Sequence, residues 1–384
     1  MEKVTESIRN IGVYDKDIEL FENQYIIKNG MRYNSYIIED EKIAILDSVD
    51  KRKCKEWLDN IENVLNGKKP DYIVVSHLEP DHSGSLESFL IKYPEVQVIS
   101  NEKVFSMLPQ FIETDVTSRK IVVKEQDEIS LGKHKLKFFM TPMVHWPEVM
   151  FSYEMTEKIL FSADAFGTFG ESGLLDEWKE EARRYFINIV GKYGMQVQNV
   201  LKKLNGIDID KICALHGPIL ENSLEYYINL YDIWSKYEPE ENGILIVCGS
   251  LHGNTYEVGK LVASKLKECG EKVELVDTSR EEVPDIVSKA FKYSKMCIAC
   301  STYNMSIFPA MNSFLHLLKE KNYQGRKVGI IENGSWAPNA ANVIKEILSK
   351  MKNIEIVEPI VTVKTKLSEE TEKDLLKLIE VLKK

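Results

Sequence analysis

The stretch Ile73-Val74-Val75-Ser76-His77-Leu78-Glu79-Pro80-Asp81-His82-Ser83-Gly84-Ser85 is an apolar run that breaks into a turn crowded with imidazole and carboxylate groups. Tyr72 to Val75 are β-formers and predict a short buried strand, and Pro80 and Gly84 forbid its continuation. The loop therefore opens at a strand end. His77, Glu79, Asp81 and His82 lie close enough along the chain to bind one or two cations from a single turn. A nitrogen and oxygen donor set without thiolate points away from structural zinc and towards catalytic iron, manganese or zinc.

The same arrangement recurs outward from this loop. Leu136 to Met140 predicts a strand that breaks at Thr141-Pro142-Met143-Val144-His145-Trp146-Pro147-Glu148. Ile159 to Phe161 runs into Ser162-Ala163-Asp164-Ala165-Phe166-Gly167, and Ile212 to Leu215 ends in His216-Gly217-Pro218. Four strand-end loops thus offer histidine or carboxylate, and active sites of layered α/β proteins are commonly assembled from such loops. Ahead of them, residues 11 to 48 read as a β-meander of Ile18–Phe21, Tyr25–Ile27, Tyr33–Ile38 and Lys42–Leu46. Lys51 to Leu65 is a helix by the four-residue recurrence of Trp57, Ile61 and Leu65. Residues 172 to 205 read as helical, with Glu177, Glu180, Glu181, Arg183 and Arg184 a solvated face.

Composition bounds the rest. At 384 residues the chain exceeds the usual single-domain size and predicts two domains. Apolar residues at 43% and charged residues at 29% are the balance of a globular protein. No segment approaches the roughly 18 apolar residues that span a bilayer. The opening Met1-Glu2-Lys3-Val4-Thr5-Glu6 lacks an apolar core of a signal peptide, so the expectation is a cytoplasmic protein without a membrane partner. A formal charge of −10 argues against nucleic acid, whose phosphates need clustered Lys and Arg. Of six cysteines only Cys297 and Cys300 have a motif-like spacing, and a strand would point them to opposite faces, as buried structural thiols.

A polar stretch from Ser235 to Gly243 marks the boundary, which gives domains 1–240 and 241–384. Beyond it, strands at 243–248, 272–277, 296–299 and 327–332 alternate with helices, which implies a parallel doubly wound sheet with a ligand beyond the carboxyl ends of its strands. The first strand-end loop, Gly249-Ser250-Leu251-His252-Gly253-Asn254-Thr255, offers hydroxyls and backbone amides at a helix N-terminus, an anion site. It has neither the Gly-Lys-Ser/Thr close of a nucleotide triphosphate loop nor a Gly-x-Gly-x-x-Gly, which leaves a phosphate monoester. Ser301-Thr302-Tyr303-Asn304 and Asn333-Gly334-Ser335-Trp336 add aromatic rings able to stack on a flat ligand. The three loops together resemble the flavodoxin site for FMN.

In the other half, His77-x-Glu79-x-Asp81-His82 followed by His145, Asp164 and His216 resembles the metallo-β-lactamase ligand series. Zinc hydrolases of that superfamily normally carry histidine where this chain has Glu79, and a carboxylate there favours iron. With a flavodoxin-like domain following, the chain resembles the flavodiiron proteins over nearly its whole length. The resemblance implies an α/β fold: a metallo-β-lactamase-like αββα sandwich and then the flavodoxin-like sheet. It implies that His77, Glu79 and His145 hold one iron and Asp81, His82 and His216 the other, with Asp164 bridging, although the counterpart of His82 turns away in some members. It implies reduction of O2 to water or of NO to N2O with electrons passed through FMN. It further implies a rubredoxin or comparable electron donor and a head-to-tail homodimer or homotetramer. The alternatives are a zinc-dependent hydrolase with an appended flavodoxin-like domain, and an electron-carrying flavoprotein with a vestigial metal site.

Overall fold

The structure, a computed structural model, describes residues 1–170 and 175–383. The start of the expected helical stretch, 172–174, and the side chain of Glu177 lie outside the described residues. The chain divides into two units, Met1–Phe186 with Met195–Asp232 and Ile187–Gly194 with Ile233–Lys384.

In the first unit the strand after which the metal-compatible loop opens, Tyr72–Val74, is the fifth strand of a seven-stranded sheet, flanked on both sides. It runs parallel to Ala44–Leu46 on one side and to Gln97–Ser100 on the other. A central parallel strand has both faces covered, which is why its sequence is continuously apolar rather than alternating. A second, six-stranded sheet holds Lys135–Met140, Met150–Glu154, Ile159–Phe161 and Lys211–Cys213. The two sheets share one core, in which Tyr36, Leu46, Val74 and Ile99 meet Phe138, Met150, Ile159 and Cys213. Trp57, Ile61 and Leu65 are the buried face of the helix Cys54–Leu65, as the four-residue recurrence requires. This is an αββα sandwich.

Two local expectations change. The run expected as one strand from Tyr33 to Ile38 divides into Met31–Tyr33, paired with Val13–Asp15, and Tyr36–Ile38, paired with Ile8–Asn10 and Ala44–Leu46. The break has a cause at Asn34, whose side chain is buried and donates to the carbonyls of Ala214 and Gly217, each at 2.9 Å. The meander thereby grips the loop that carries His216. Arg183 and Arg184, expected on a solvated face, are buried on the helix Leu175–Tyr185. Arg184 donates to the Ile26 carbonyl at 2.7 Å and lies over the Phe169 ring, so its charge is spent inside the unit.

The second unit is built on a sheet in the order Val273–Asp277, Glu241–Gly249, Tyr293–Tyr303, Lys327–Asn333, then Glu355–Ile356 and Val361–Val363. All these pairings are parallel. Taken in chain order they read 2-1-3-4-5, the flavodoxin-like arrangement, whose switch point lies between the first and third strands. Cys297 and Cys300 are buried free thiols on one strand, and burial pushes both up to about 12. A helix at Glu369–Leu382, capped by Ser368 and burying Leu375, Leu378, Ile379 and Leu382, closes the sheet and has no counterpart among the expected elements. Among the described residues no helix is long and apolar enough to cross a membrane.

Candidate metal centre and cofactor pocket

The loop after Tyr72–Val74 is fixed before any ligand is considered. The buried carboxylate of Asp47 accepts from the Ser76 N–H at 2.6 Å, and the Ser83 hydroxyl donates to the Leu78 carbonyl at 2.7 Å. Glu79 sits at the N-cap of the short helix Pro80–Ser83, which carries Asp81 and His82, and the Ser48 hydroxyl donates to the His82 carbonyl at 2.6 Å. His145 and Asp164 come from the loops after Lys135–Met140 and Ile159–Phe161, as expected. His216 follows Lys211–Cys213, and Gly217 beside it has φ +80, where a Cβ would stand 2.4 Å from the Thr168 hydroxyl. Only glycine fits there.

All seven residues meet in two adjoining groups, His77, Glu79, His145 and Asp164 in one and Asp81, His82 and His216 in the other. Asp164 faces both. Its Oδ2 lies 3.3 Å from His77 Nε2 and 3.1 Å from His145 Nε2, and its Oδ1 lies 3.1 Å from His82 Nε2 and 3.6 Å from His216 Nε2. Glu79 approaches His145 Nε2 at 3.0 Å and His77 Nε2 at 3.3 Å, while Asp81 approaches His216 Nε2 at 3.1 Å and His82 Nε2 at 3.3 Å. Every imidazole thus turns Nε2 inward. His216 Nδ1 faces the Arg32 carbonyl at 2.7 Å, an acceptor, so that nitrogen carries the proton and Nε2 presents a lone pair.

The residues fit divalent cations on the structure's own terms. Both oxygens of Asp81 and Oδ1 of Asp164 are buried without a hydrogen-bond partner, as is His82 Nδ1. Buried carboxylates left so are costly unless a cation answers them. Burial alone would lower His145, but the carboxylates of Asp164 and Glu79 beside it hold it up at about 9. Burial likewise opposes ionisation of Asp164, and the His82 and His77 imidazoles overcome it and hold the carboxyl well below its ordinary value. The cluster draws positive charge, and neutral imidazole with carboxylate and no thiolate is a set for iron, manganese or zinc.

Sequence reasoning missed the wall around His216. The rings of Phe21, Tyr33 and Tyr185 lie 5.4, 5.8 and 5.6 Å from that of His216. Trp146, which the sequence placed beside His145, lies edge-on to His77 at 5.2 Å. Phe166 turns away to stack on Tyr231 at 4.1 Å. Glu148 is also missed: its buried carboxylate lies 2.8 Å from His77 Nδ1, and its position in the Pro-bounded loop with His145 was the available signal. His134 is buried with its ring between the Ser7 hydroxyl at 2.9 Å and the Glu154 carboxylate at 3.0 Å.

In the second unit a cavity of about 420 Å3 opens past the strands Glu241–Gly249, Tyr293–Tyr303 and Lys327–Asn333. Ser250, His252, Asn254, Thr255, Ser301, Thr302, Tyr303, Asn304, Asn333, Gly334, Ser335 and Trp336 line it, joined by Leu251, Met305, Ala337 and Thr365. Gly253, though not in the lining, turns the first loop at φ +92 into the helix Asn254–Glu268, and its N–H donates to the Ser250 hydroxyl at 3.1 Å. The first-turn amides of that helix lack intrahelical acceptors and among the described residues no Lys or Arg lines the cavity, so an anion there meets amides and hydroxyls. Trp336 is 90% exposed at the rim, an indole presenting its face to solvent where a flat ring would stack.

Comparison with known proteins places these features. Residues 31–217 match the model of the ODP family beta lactamase. An uncharacterised protein of Methanocaldococcus jannaschii is 30% identical over 89% of this chain and 87% of its own length. The anaerobic nitric oxide reductase flavorubredoxin of Escherichia coli is 25% identical over 88% of this chain and 73% of its own. The structure matches rubredoxin oxygen:oxidoreductase from Desulfovibrio gigas at TM-score 0.91, with 25% identity over 99% of this chain and 98% of that one. A variant of the flavo-diiron protein of Thermotoga maritima matches at TM-score 0.88, with 25% identity over 98% and 96%. The chain spans only 52 to 62% of the length of the diflavin flavoproteins it also matches. With a metallo-β-lactamase-like sandwich, a flavodoxin-like sheet and relatives of that description over nearly its full length, the chain belongs to the flavodiiron family.

Proposed function

We propose that the protein is a flavodiiron oxidoreductase that reduces O2 to water, NO to N2O, or both, with electrons passed through FMN. One observation carries the reading: Asp164 offers one oxygen to the His77 and His145 side and the other to the His82 and His216 side of a single buried cluster. In this reading His77, Glu79 and His145 would hold one iron, Asp81, His82 and His216 the other, and Asp164 would serve both. When bound, the iron pair and the flavin supply the electrons for four-electron reduction of O2 or two-electron coupling of two NO molecules.

The chain's own residues do the rest. They would hold the metals through inward Nε2 atoms and carboxylates, and aromatic walls at Phe21, Tyr33, Tyr185 and Trp146 would exclude water. Glu79 and Asp81, with side chains 15% and 10% exposed against 0% for His77, His82 and His216, mark the open side, where a diatomic gas would enter. In the second unit the loop from Ser250 to Thr255 would take the FMN phosphate, and Tyr303 and Trp336 the isoalloxazine. Domains 1–240 and 241–384 then divide the work between gas chemistry and electron entry. The name of the Desulfovibrio gigas relative supports O2 as substrate and a rubredoxin as donor, and that of the Escherichia coli relative supports NO. A cytoplasmic homodimer or homotetramer completes the proposal.

Metal and flavin analysis of the purified protein tests it, followed by anaerobic addition of O2 and NO separately to protein with the same reduced donor. Iron and FMN in the protein and consumption of either gas support the reading; stoichiometric zinc without iron overturns it.

A further inference from the structure

Glu148 stands out because its carboxylate reaches the cluster from behind. Oε1 lies 2.8 Å from His77 Nδ1 and accepts from the Leu78 N–H at 3.0 Å, and the whole side chain is buried. Oε2 is buried with no hydrogen-bond partner. The main chain at Glu148 is fixed in turn, since the Asn101 side-chain amide donates to its carbonyl at 2.7 Å, and Asn101 is itself anchored as the cap of the helix Glu102–Met107. The same loop therefore supplies His145 to the cluster and holds His77 in place. With the carboxylate ionised, His77 Nδ1 is the N–H and Nε2 is left bare towards Glu79 and Asp164.

Among the described residues the other side of the cluster has nothing equivalent. His216 Nδ1 is held by the neutral carbonyl of Arg32, and His82 Nδ1 has no hydrogen-bond partner. A carboxylate behind an imidazole makes it a better donor to a cation and locks its ring, and loss of such a partner typically weakens metal binding by about 10–100-fold.

We infer that Glu148 is a positioning residue for His77 that makes the two metal positions unequal, the one held by His77, Glu79 and His145 binding more tightly. The inference rests on the diiron reading, and the test separates the two. Iron release from the purified, iron-loaded protein to a colorimetric chelator is followed in wild type, Glu148→Gln and Glu148→Ala, with FMN content and circular dichroism recorded alongside. Gln still accepts from His77 without the charge, so release of one iron per chain quickens by about 10-fold in Glu148→Gln and by about 100-fold in Glu148→Ala, while the other iron and FMN hold as in wild type. The quickening in Glu148→Gln, which keeps the size of the buried side chain, tracks charge and would not follow from lost packing alone. Asn101→Ala, which frees the Glu148 main chain, gives the readout where a Glu148 variant fails to fold, with one iron again released faster. Equal release from both positions in the wild type, or both irons lost together or neither quickened in the variants, overturns the inference and leaves the diiron reading standing; a wild type that takes up no iron overturns the reading itself.

Discussion

The Nε2 atoms of His82 and His216 face one another at 3.0 Å. His216 carries its proton on Nδ1 towards Arg32, so in the neutral cluster its inward nitrogen is a bare lone pair beside a second imidazole nitrogen. A shared proton or a cation must sit between them. Asp81, with both oxygens buried and unpartnered 3.1 and 3.3 Å from these nitrogens, makes the cation the better answer. His82 is turned into the cluster, and its removal should cost this position its metal. In His82→Ala the iron content is expected to fall from about two per chain to about one with FMN retained, as measured by elemental analysis. Undiminished iron would show that His82 does not ligate.

Among the described residues Asp164 is the one with an oxygen on each side, so its loss should act on both. Asp164→Ala is expected to keep FMN and the fold, because its second-unit residues are untouched, yet lose more than about 100-fold in gas turnover, beyond the usual effect of an outer partner. Oxygen-electrode and NO-electrode assays with the same reduced donor check it. Turnover retained within a few-fold would remove the spanning role.

The extent to which the sequence showed this site follows from what each residue does locally. His77, Glu79, Asp81, His82, His145, Asp164 and His216 stood at strand ends broken by Pro or Gly, a pattern of nearest neighbours along the chain, and the structure gathers them. The parallel doubly wound sheet was legible for the same reason, since alternation of strand and helix is a local signal. Glu148 and the rings of Phe21, Tyr33 and Tyr185 around His216 were not legible as parts of the site, because their roles depend on which loops fold against one another. Asn34 shows the same limit: its neighbours are β-formers, and only its bonds to Ala214 and Gly217 explain why the strand stops. The burial of Arg183 and Arg184 was hidden by a charge run that composition alone reads as solvent-facing.

Asp47 gives a pH dependence whose sign is opposite to that of a salt-bridged carboxylate. Burial raises it to about 6 from 3.8, against the opposing pull of the Ser76 amide and hydroxyl. The folded state therefore keeps the proton longer than the unfolded state, and stability is lost as pH rises from about 4 to about 6, by at most about 3 kcal/mol. Asp47→Asn is expected to flatten that part of the profile, so the variant gains on the wild type as pH rises through the window. Urea denaturation of the metal-free protein at a series of pH values measures it; parallel profiles for the two proteins would remove the assignment.

The second-unit cavity offers a separation of phosphate and ring. Gly253 has φ +92 with open space around it, so Gly253→Ala introduces backbone strain without a clash, on the order of 1–2 kcal/mol, in the loop read as the phosphate site. Trp336, exposed at the rim, is read as a stacking surface, and Trp336→Ala should remove about 0.5–1.5 kcal/mol of ring binding. Fluorescence titration of flavin-free protein with FMN and with riboflavin, which lacks the phosphate, distinguishes these roles. Trp336→Ala is expected to weaken both ligands by a similar factor of a few to about 10, whereas Gly253→Ala weakens FMN and leaves riboflavin nearly unchanged. A loss in Gly253→Ala shared equally by riboflavin would move the phosphate away from the helix Asn254–Glu268. The cavity would then need another orientation of its ligand, with Asn333 and Ser335, held to Thr365 on the opposite wall, nearest the anion.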